Sequence, residues 1–188
     1  MSAVADIGAR TGGVPSSRAR DEARSQGLVV LRFLVLSVIH LFIGTVQGVL
    51  QTFPGIAQWI REAGPAGHLI DPLAHAHINL VGGVTMGMMG LIYYVLPKVL
   101  GRDVYSPALS SASFWLSTVG VLGFFCSLVA LGLVEGNMIH GGMTWSEALA
   151  AVGPIHHILI ITTAFLMGFG YWAFIANVLM TVVRKRGD

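Results

Sequence analysis

Seven histidines stand out in a chain otherwise poor in ionisable residues: His40, His68, His75, His77, His140, His156 and His157. Four form two close pairs, His75 and His77 in A-H-A-H-I-N, and His156 and His157 in G-P-I-H-H-I. A neutral imidazole is the commonest protein ligand for transition metals and for haem iron. On a helix, positions two apart point about 200° from each other, so His75 and His77 serve different faces rather than one ion. His156 and His157 lie about 100° apart, which turns one toward a bundle and the other sideways. Along the face of His75 come Asn79, Gly82, Gly83, Met86 and Gly90, a strip nearly bare of bulk that a macrocycle or another helix can approach. His40 shares a face with Gly44, Gln47 and Gln51, which suits either ligation or hydrogen bonding between helices. His68 and His140 read more simply as loop residues.

The elements that position these side chains are membrane spans. Of 188 residues, 54% are apolar and 11% charged, and the mean hydropathy is +0.74. Soluble domains carry about 25% charged residues, so this chain has too few to cover a water-facing surface. A span needs about 20 apolar residues. Four segments qualify, at about 27–53, 73–97, 108–134 and 148–183, the last with Gly153-Pro154 as an alternative start. Asp71-Pro72 reads as the N-cap and first helical position of the second. The expected fold is therefore an all-α four-helix transmembrane bundle over 27–188, after a flexible polar tail over 1–26 that lacks a signal-peptide core. Twenty-four glycines suit close helix packing in lipid. The eight methionines read as gap-fillers, and the lone Cys126 forms no disulfide framework.

Basic residues fix the expected orientation. Ten of the eleven, all but Arg61, fall on one side if both termini are cytoplasmic. Both histidine pairs then open their helices at the periplasmic end, at similar depth. His40 lies deeper, about 13 residues or roughly 19 Å from that surface. The charge is clustered at membrane edges, so nucleic acid is not an expected partner; membrane lipid is.

The stretch A-H-A-H-I-N-L-V-G-G-V-T-M-G-M-M-G-L-I-Y-Y-V-L-P-K-V-L-G-R (74–102) resembles the tenth helix of subunit I in haem–copper oxidases, nearest to the cbb-type branch and the related nitric oxide reductases. S-F-W-L-S-T-V-G (113–120) resembles the start of the eleventh helix. G-L-V-E-G-N-M-I-H-G-G-M-T-W-S-E-A-L (132–149) is similar to the connection to the twelfth, and F-I-A-N-V-L-M-T-V-V-R (174–184) to its end. H-L-F-I-G-T-V-Q-G-V-L-Q (40–51) resembles the ninth. The combination of H-x-H with Tyr94, Pro97, Lys98, Gly101 and Arg102 is the specific part.

The resemblance implies that His75 takes the role of high-spin haem ligand and His77 that of low-spin haem ligand. It also implies that the chain corresponds to the last four of that subunit's twelve helices. The family's other low-spin ligand and its copper or iron histidines come from helices outside this arc. His40, His156 and His157 stand where no family histidine is expected and look like replacement ligands. The expectation is one or two b-type haems, the first held between spans two and four by His77 with His157 or His156. His75 would hold a second with His40 or the remaining histidine, unless a neighbouring chain supplies the missing ligand.

Two functions follow. One is an electron-carrying cytochrome b subunit of a bacterial inner-membrane respiratory complex, or of a homo-oligomer. It would face a c-type cytochrome, a copper protein or quinol. The other is a small nitric oxide or oxygen reductase with an open haem at His75 and a second metal (copper or iron) at His156, His157, Glu135 and His140. A haem-free accessory subunit of a larger oxidase is the third expectation.

Overall fold

The computed structural model describes residues 17–184, with side chains from residue 24. Of the tail expected over 1–26, residues 1–16 lie outside the described residues, as do Lys185 and Arg186 of the basic clusters, and 17–26 are helical rather than a flexible tail. Among the described residues there are helices and no strands. Helix α1 (Ser17–Gln51) is the first span, α3 (Pro65–Leu100) the second, α4 (Pro107–His140) the third and α6 (Ile155–Val183) the fourth. Two short helices, α2 (Pro54–Glu62) and α5 (Trp145–Val152), lie in the connections at the histidine-bearing end.

The spans match expectation in number and type, and the first three run longer than expected. The fourth starts at Ile155 rather than 148, at the alternative Gly153-Pro154 start, because Trp145–Val152 forms a separate short helix. Helix α1 starts ten residues before Gly27, because Ser17–Gln26 is rich in Ala, Arg and Glu, all good helix formers. Helix α3 begins at Pro65 and breaks at Asp71, whose extended backbone (φ −138°, ψ 118°) lets Pro72 restart it where the Asp-Pro signal placed the beginning. Two stretches of α3, Leu69–Ala74 and His77–Thr85, wind in wide π-type turns. Such turns often mark functional sites; His75 lies between the two stretches and His77 opens the second.

The spans pack as a chain of neighbours. Helix α1 runs along α3; α4 packs on the histidine half of α3; α6 runs along the whole of α4. Small residues permit each approach. Ser37 Oγ donates to Gly83 O at 2.7 Å, and a Cβ at Gly90 would meet Phe33 at 2.8 Å. Between α4 and α6, Gly120 faces the Met167 backbone and Gly170 faces Ser117. The core is built on Phe33, Ile78, Met86, Met89, Tyr93, Phe114 and Val121, so two of the methionines are indeed fillers. Cys126 is exposed and free.

The Tyr94–Arg102 motif closes the basic end. Gly101 takes the left-handed conformation (φ 62°) that ends α3, Lys98 Nζ sits 3.5 Å over the Tyr94 ring, and Arg102 donates to the carbonyls of Val182 and Arg184. Those carbonyls belong to the last turn of α6, which has no helical partners for them. Beside this clasp Asn177 forms a hub. Its Oδ1 accepts from Ser106 N at 2.9 Å, and its Nδ2 donates to Ser106 O, Ser110 Oγ and Tyr93 Oη.

Candidate haem site

His75 and His77 point to different helices, as their spacing demands. His75 faces α1, where a Cβ at Gly48 would lie 2.8 Å from its Cε1. It opens on a groove of about 570 Å³ lined also by Thr45, Thr52, Ala76 and Asn79. His77 faces α4, with its ring centroid 4.8 Å from that of Phe124. Its Nδ1–H donates to Leu73 O at 2.8 Å. That bond fixes tautomer and ring orientation and leaves Nε2 with its lone pair as the acceptor nitrogen. Haem and metal histidines are commonly held this way.

His40 is fully buried and neither ring nitrogen has a partner. Its ring fits against Gly82, where a Cβ would lie 2.8 Å from Nδ1. Gln47 Oε1 and Gln51 Nε2, on the same stripe of α1, are also buried and unpaired; Gln47 Nε2 donates to Ile70 O at 3.0 Å. Asn79 fills the space between His40 and His75, bonded to His75 O at 2.9 Å. The α1–α3 interface is thus a polar seam with more hydrogen-bonding groups than partners.

On α6, His156 is buried and His157 exposed, with ring centroids 5.0 Å apart. His156 Nδ1–H donates to Glu135 Oε1 at 2.6 Å. Glu135 is fully buried and its other carboxylate oxygen has no partner. A buried carboxylate in a span is costly unless paired, so the two residues support each other. Sequence reasoning named Glu135 only as a metal candidate. Its pairing follows from α4 and α6 lying side by side with a short connection, which no local pattern reveals.

The remaining histidines are structural or peripheral. His140 donates from Nε2 to Trp59 O at 3.1 Å and stacks on the Trp59 ring, tying α2 to the end of α4. His68 is exposed. Among the described residues, no three His, Cys, Asp or Glu side chains gather as a metal-binding group. The chain brings Glu135 to His156, and His75 and His40 to the seam between α1 and α3. It aims His77 at α4.

This arrangement fits haem better than a bare metal ion, because one tautomer-fixed imidazole serves an axial position without a cluster of ligands. Residues 19–162 match the family described as Cytochrome C and Quinol oxidase polypeptide I. The chain is 33% identical over 134 residues to the Cbb3-type cytochrome c oxidase subunit CcoN1 of Stutzerimonas stutzeri, covering 66% of this chain and 27% of that protein. It is 27% identical over 163 residues to cytochrome c oxidase subunit 1 of Rhodobacter capsulatus, covering 79% and 29%. A cytochrome c oxidase subunit 1 homolog of Agrobacterium tumefaciens is 28% identical over 182 residues, covering 89% and 31%. The chain thus spans less than a third of the length of each of these relatives. With four spanning helices and these bacterial relatives, it is a multi-pass protein of the bacterial inner membrane, of membrane oxidoreductase subunit type. The chain belongs to the haem–copper oxidase subunit I family.

Proposed function

We propose that the chain is a b-type cytochrome subunit that carries electrons at the periplasmic side of a respiratory membrane complex. The observation that carries this reading is His77, with Nδ1–H spent on the Leu73 carbonyl and Nε2 left to bind iron. Bound there, haem supplies a one-electron couple. The chain's own residues hold the ring: the Leu73 carbonyl fixes its tautomer and Phe124 packs on its face. The second imidazole to hold the haem would come from His157 or His156, or from a histidine of a neighbouring chain. His156 is already oriented by Glu135, as metal-binding histidines are by carboxylates. Bis-imidazole ligation leaves iron no open position and so favours electron transfer. Basic residues gather at the opposite end, which supports a periplasmic position for the histidines, where a c-type cytochrome, a copper protein or quinol would be the partner. The matched relatives are by name oxidase subunits, which supports a place in a larger complex.

One observation favours a second reading, a small nitric oxide or oxygen reductase. His75 opens on the groove beside Gly48, where a haem bound by one histidine would keep its far face free for a diatomic ligand. A copper or iron partner built from Glu135 and His140 would first have to displace His156 and the Trp59 carbonyl from them.

The test is the optical spectrum of the purified, dithionite-reduced protein before and after carbon monoxide. A sharp b-type α-band indifferent to carbon monoxide is the expected result. A band that shifts moves the reductase reading ahead, and absence of haem overturns both.

A further inference from the structure

A second cavity, of about 770 Å³, lies at the opposite, basic end of the bundle and takes no part in the haem reading. We propose that it holds the phosphodiester headgroup of an anionic membrane phospholipid. Its volume is that of a small-molecule site. Two arginines from distant parts of the chain line it: Arg32, one turn past the start of the apolar run of α1, and Arg184, at the end of α6. One carboxylate, Asp103, lines it as well, so among the described residues its charged side chains sum to a single positive charge. A guanidinium set inside an apolar run is costly unless a buried or interfacial anion meets it.

The floor is a built one. Tyr93 is 5% and Ser110 3% exposed, and both are fixed by the amide of Asn177, at 3.3 Å to Tyr93 Oη and 2.9 Å to Ser110 Oγ. Their own hydroxyl protons are spent inside the fold, Ser110 on Ser106 O and Tyr93 on Ser113 Oγ, so Ser111 beside them is the hydroxyl of the lining left to meet oxygen atoms of a headgroup. Arg102, the nearest other cation of the clasp, is occupied by the Val182 and Arg184 carbonyls. The positive charge of the cavity therefore comes from Arg32 and Arg184. The wall on the α1 side is aliphatic (Leu28–Val30), continuous with the lipid-facing surface of that helix, so an acyl chain can leave the cavity into the bilayer. Basic pockets between spanning helices recognise anionic headgroups in this way.

The experiment is native mass spectrometry of the full chain in detergent, titrated separately with phosphatidylglycerol, phosphatidylcholine and inorganic phosphate. Phosphatidylglycerol should bind at least tenfold more tightly than phosphatidylcholine, and phosphate should not compete with it. Each arginine is worth about fivefold in affinity, so the R32Q/R184Q variant should lose roughly 25-fold, while R61Q, at the other end of the molecule, should lose nothing. If the double variant does not fold, S111F fills the cavity without touching its charge and should remove the selectivity. Equal binding of both lipids, or selectivity that survives S111F, overturns the proposal. Full competition by inorganic phosphate overturns the lipid assignment.

Discussion

The two ends of the bundle treat buried polar groups in opposite ways. At the basic end Asn177 is saturated: its carbonyl oxygen accepts from Ser106 N and its amide reaches Ser106 O, Ser110 and Tyr93. Thr181 completes the set, donating to Asn177 O and accepting from Tyr105 N. In the histidine half, both nitrogens of His40, one oxygen each of Gln47 and Glu135, and the amide nitrogen of Gln51 are buried without partners. Native proteins pair nearly all buried polar atoms, and the exceptions ask for a ligand, a water or a function. One end is therefore a clasp whose polar groups hold helices together, with Arg102 Nε, and Ser117 Oγ further along α4, left unpaired there among the described residues. The other keeps hydrogen-bonding capacity in reserve, beside the two histidines that family resemblance assigns to haem.

The largest effect should come from the histidine end. Replacing His77 with Ala removes the haem-candidate imidazole whose Nδ1–H is held by the Leu73 carbonyl. The reduced α-band should vanish, or drop to the part carried by a second haem, while the helical circular dichroism stays unchanged. A full-strength band in H77A would break the contrast, because the reserve would then serve something other than His77-bound haem.

The clasp should respond in the opposite sense. Asn177→Leu strands the Ser106 N–H in a low-dielectric setting, while Ser106 O keeps its bonds from Ser110 N and Oγ, and costs about 2 kcal/mol of stability. Thermal unfolding in detergent should show the loss, with the position of the haem band unmoved. A shifted band in N177L would mean that the two ends are coupled and that the division of labour is wrong.

Much of this division was legible before any coordinates. Four apolar runs sufficed for four spans, Asp71-Pro72 marked where α3 restarts, and the two-residue spacing of His75 and His77 required two faces. The small-residue strip following His75 was visible too, and α1 is what occupies it: Gly82 meets His40 and Gly90 meets Phe33. What stayed hidden was the choice of neighbour. Periodicity gives a helix its faces but not its partners, so nothing local revealed that α6 lies along α4, with His156 held by Glu135 21 residues away. The Asn177 hub was hidden for the same reason, since it joins residues 67 to 84 positions apart. Helices α2 and α5 are short, and α2 owes its place to one-sided burial of Ile60 and the Trp59–His140 stack.

His40 sharpens the comparison at a smaller scale. A buried imidazole with two unpaired nitrogens adds no hydrogen-bond energy to the folded chain. His40→Leu should therefore change stability by less than about 1 kcal/mol, far less than N177L, because Leu fills similar volume without the desolvation cost. Unfolding curves of the apo-protein decide this. A loss equal to that of N177L would show that His40 is bonded in the membrane, through water or an ion, and that the reserve is smaller than the unpaired atoms suggest.

The smallest effect concerns α5, which stands over the histidine end and sets the Trp145 ring edge-on to His156, 6.0 Å away. Its start is a capping box: Glu147 accepts from the Thr144 N–H and hydroxyl, both at 2.8 Å, while Thr144 Oγ accepts from Glu147 N. The backbone bond of Thr144, followed by its hydroxyl bond, holds the Glu147 carboxyl below its ordinary value. A carboxyl depressed in the folded state contributes stability above the unfolded value, about 4.3, and loses it as pH falls through the lower folded value. Amide exchange over Trp145–Val152 should therefore show less protection, relative to the intrinsic rate, as pH drops from 6 to 3, with the spanning helices unaffected. In Glu147→Gln the protection should be weaker at pH 6 and nearly independent of pH. The effect is local because the carboxylate is solvent-exposed, and it separates two roles for α5. If His156 keeps its pairing with Glu135 while α5 frays, that buried pair positions the imidazole by itself. If haem absorption changes in step with the fraying, the Trp145 contact is part of what holds His156 in place.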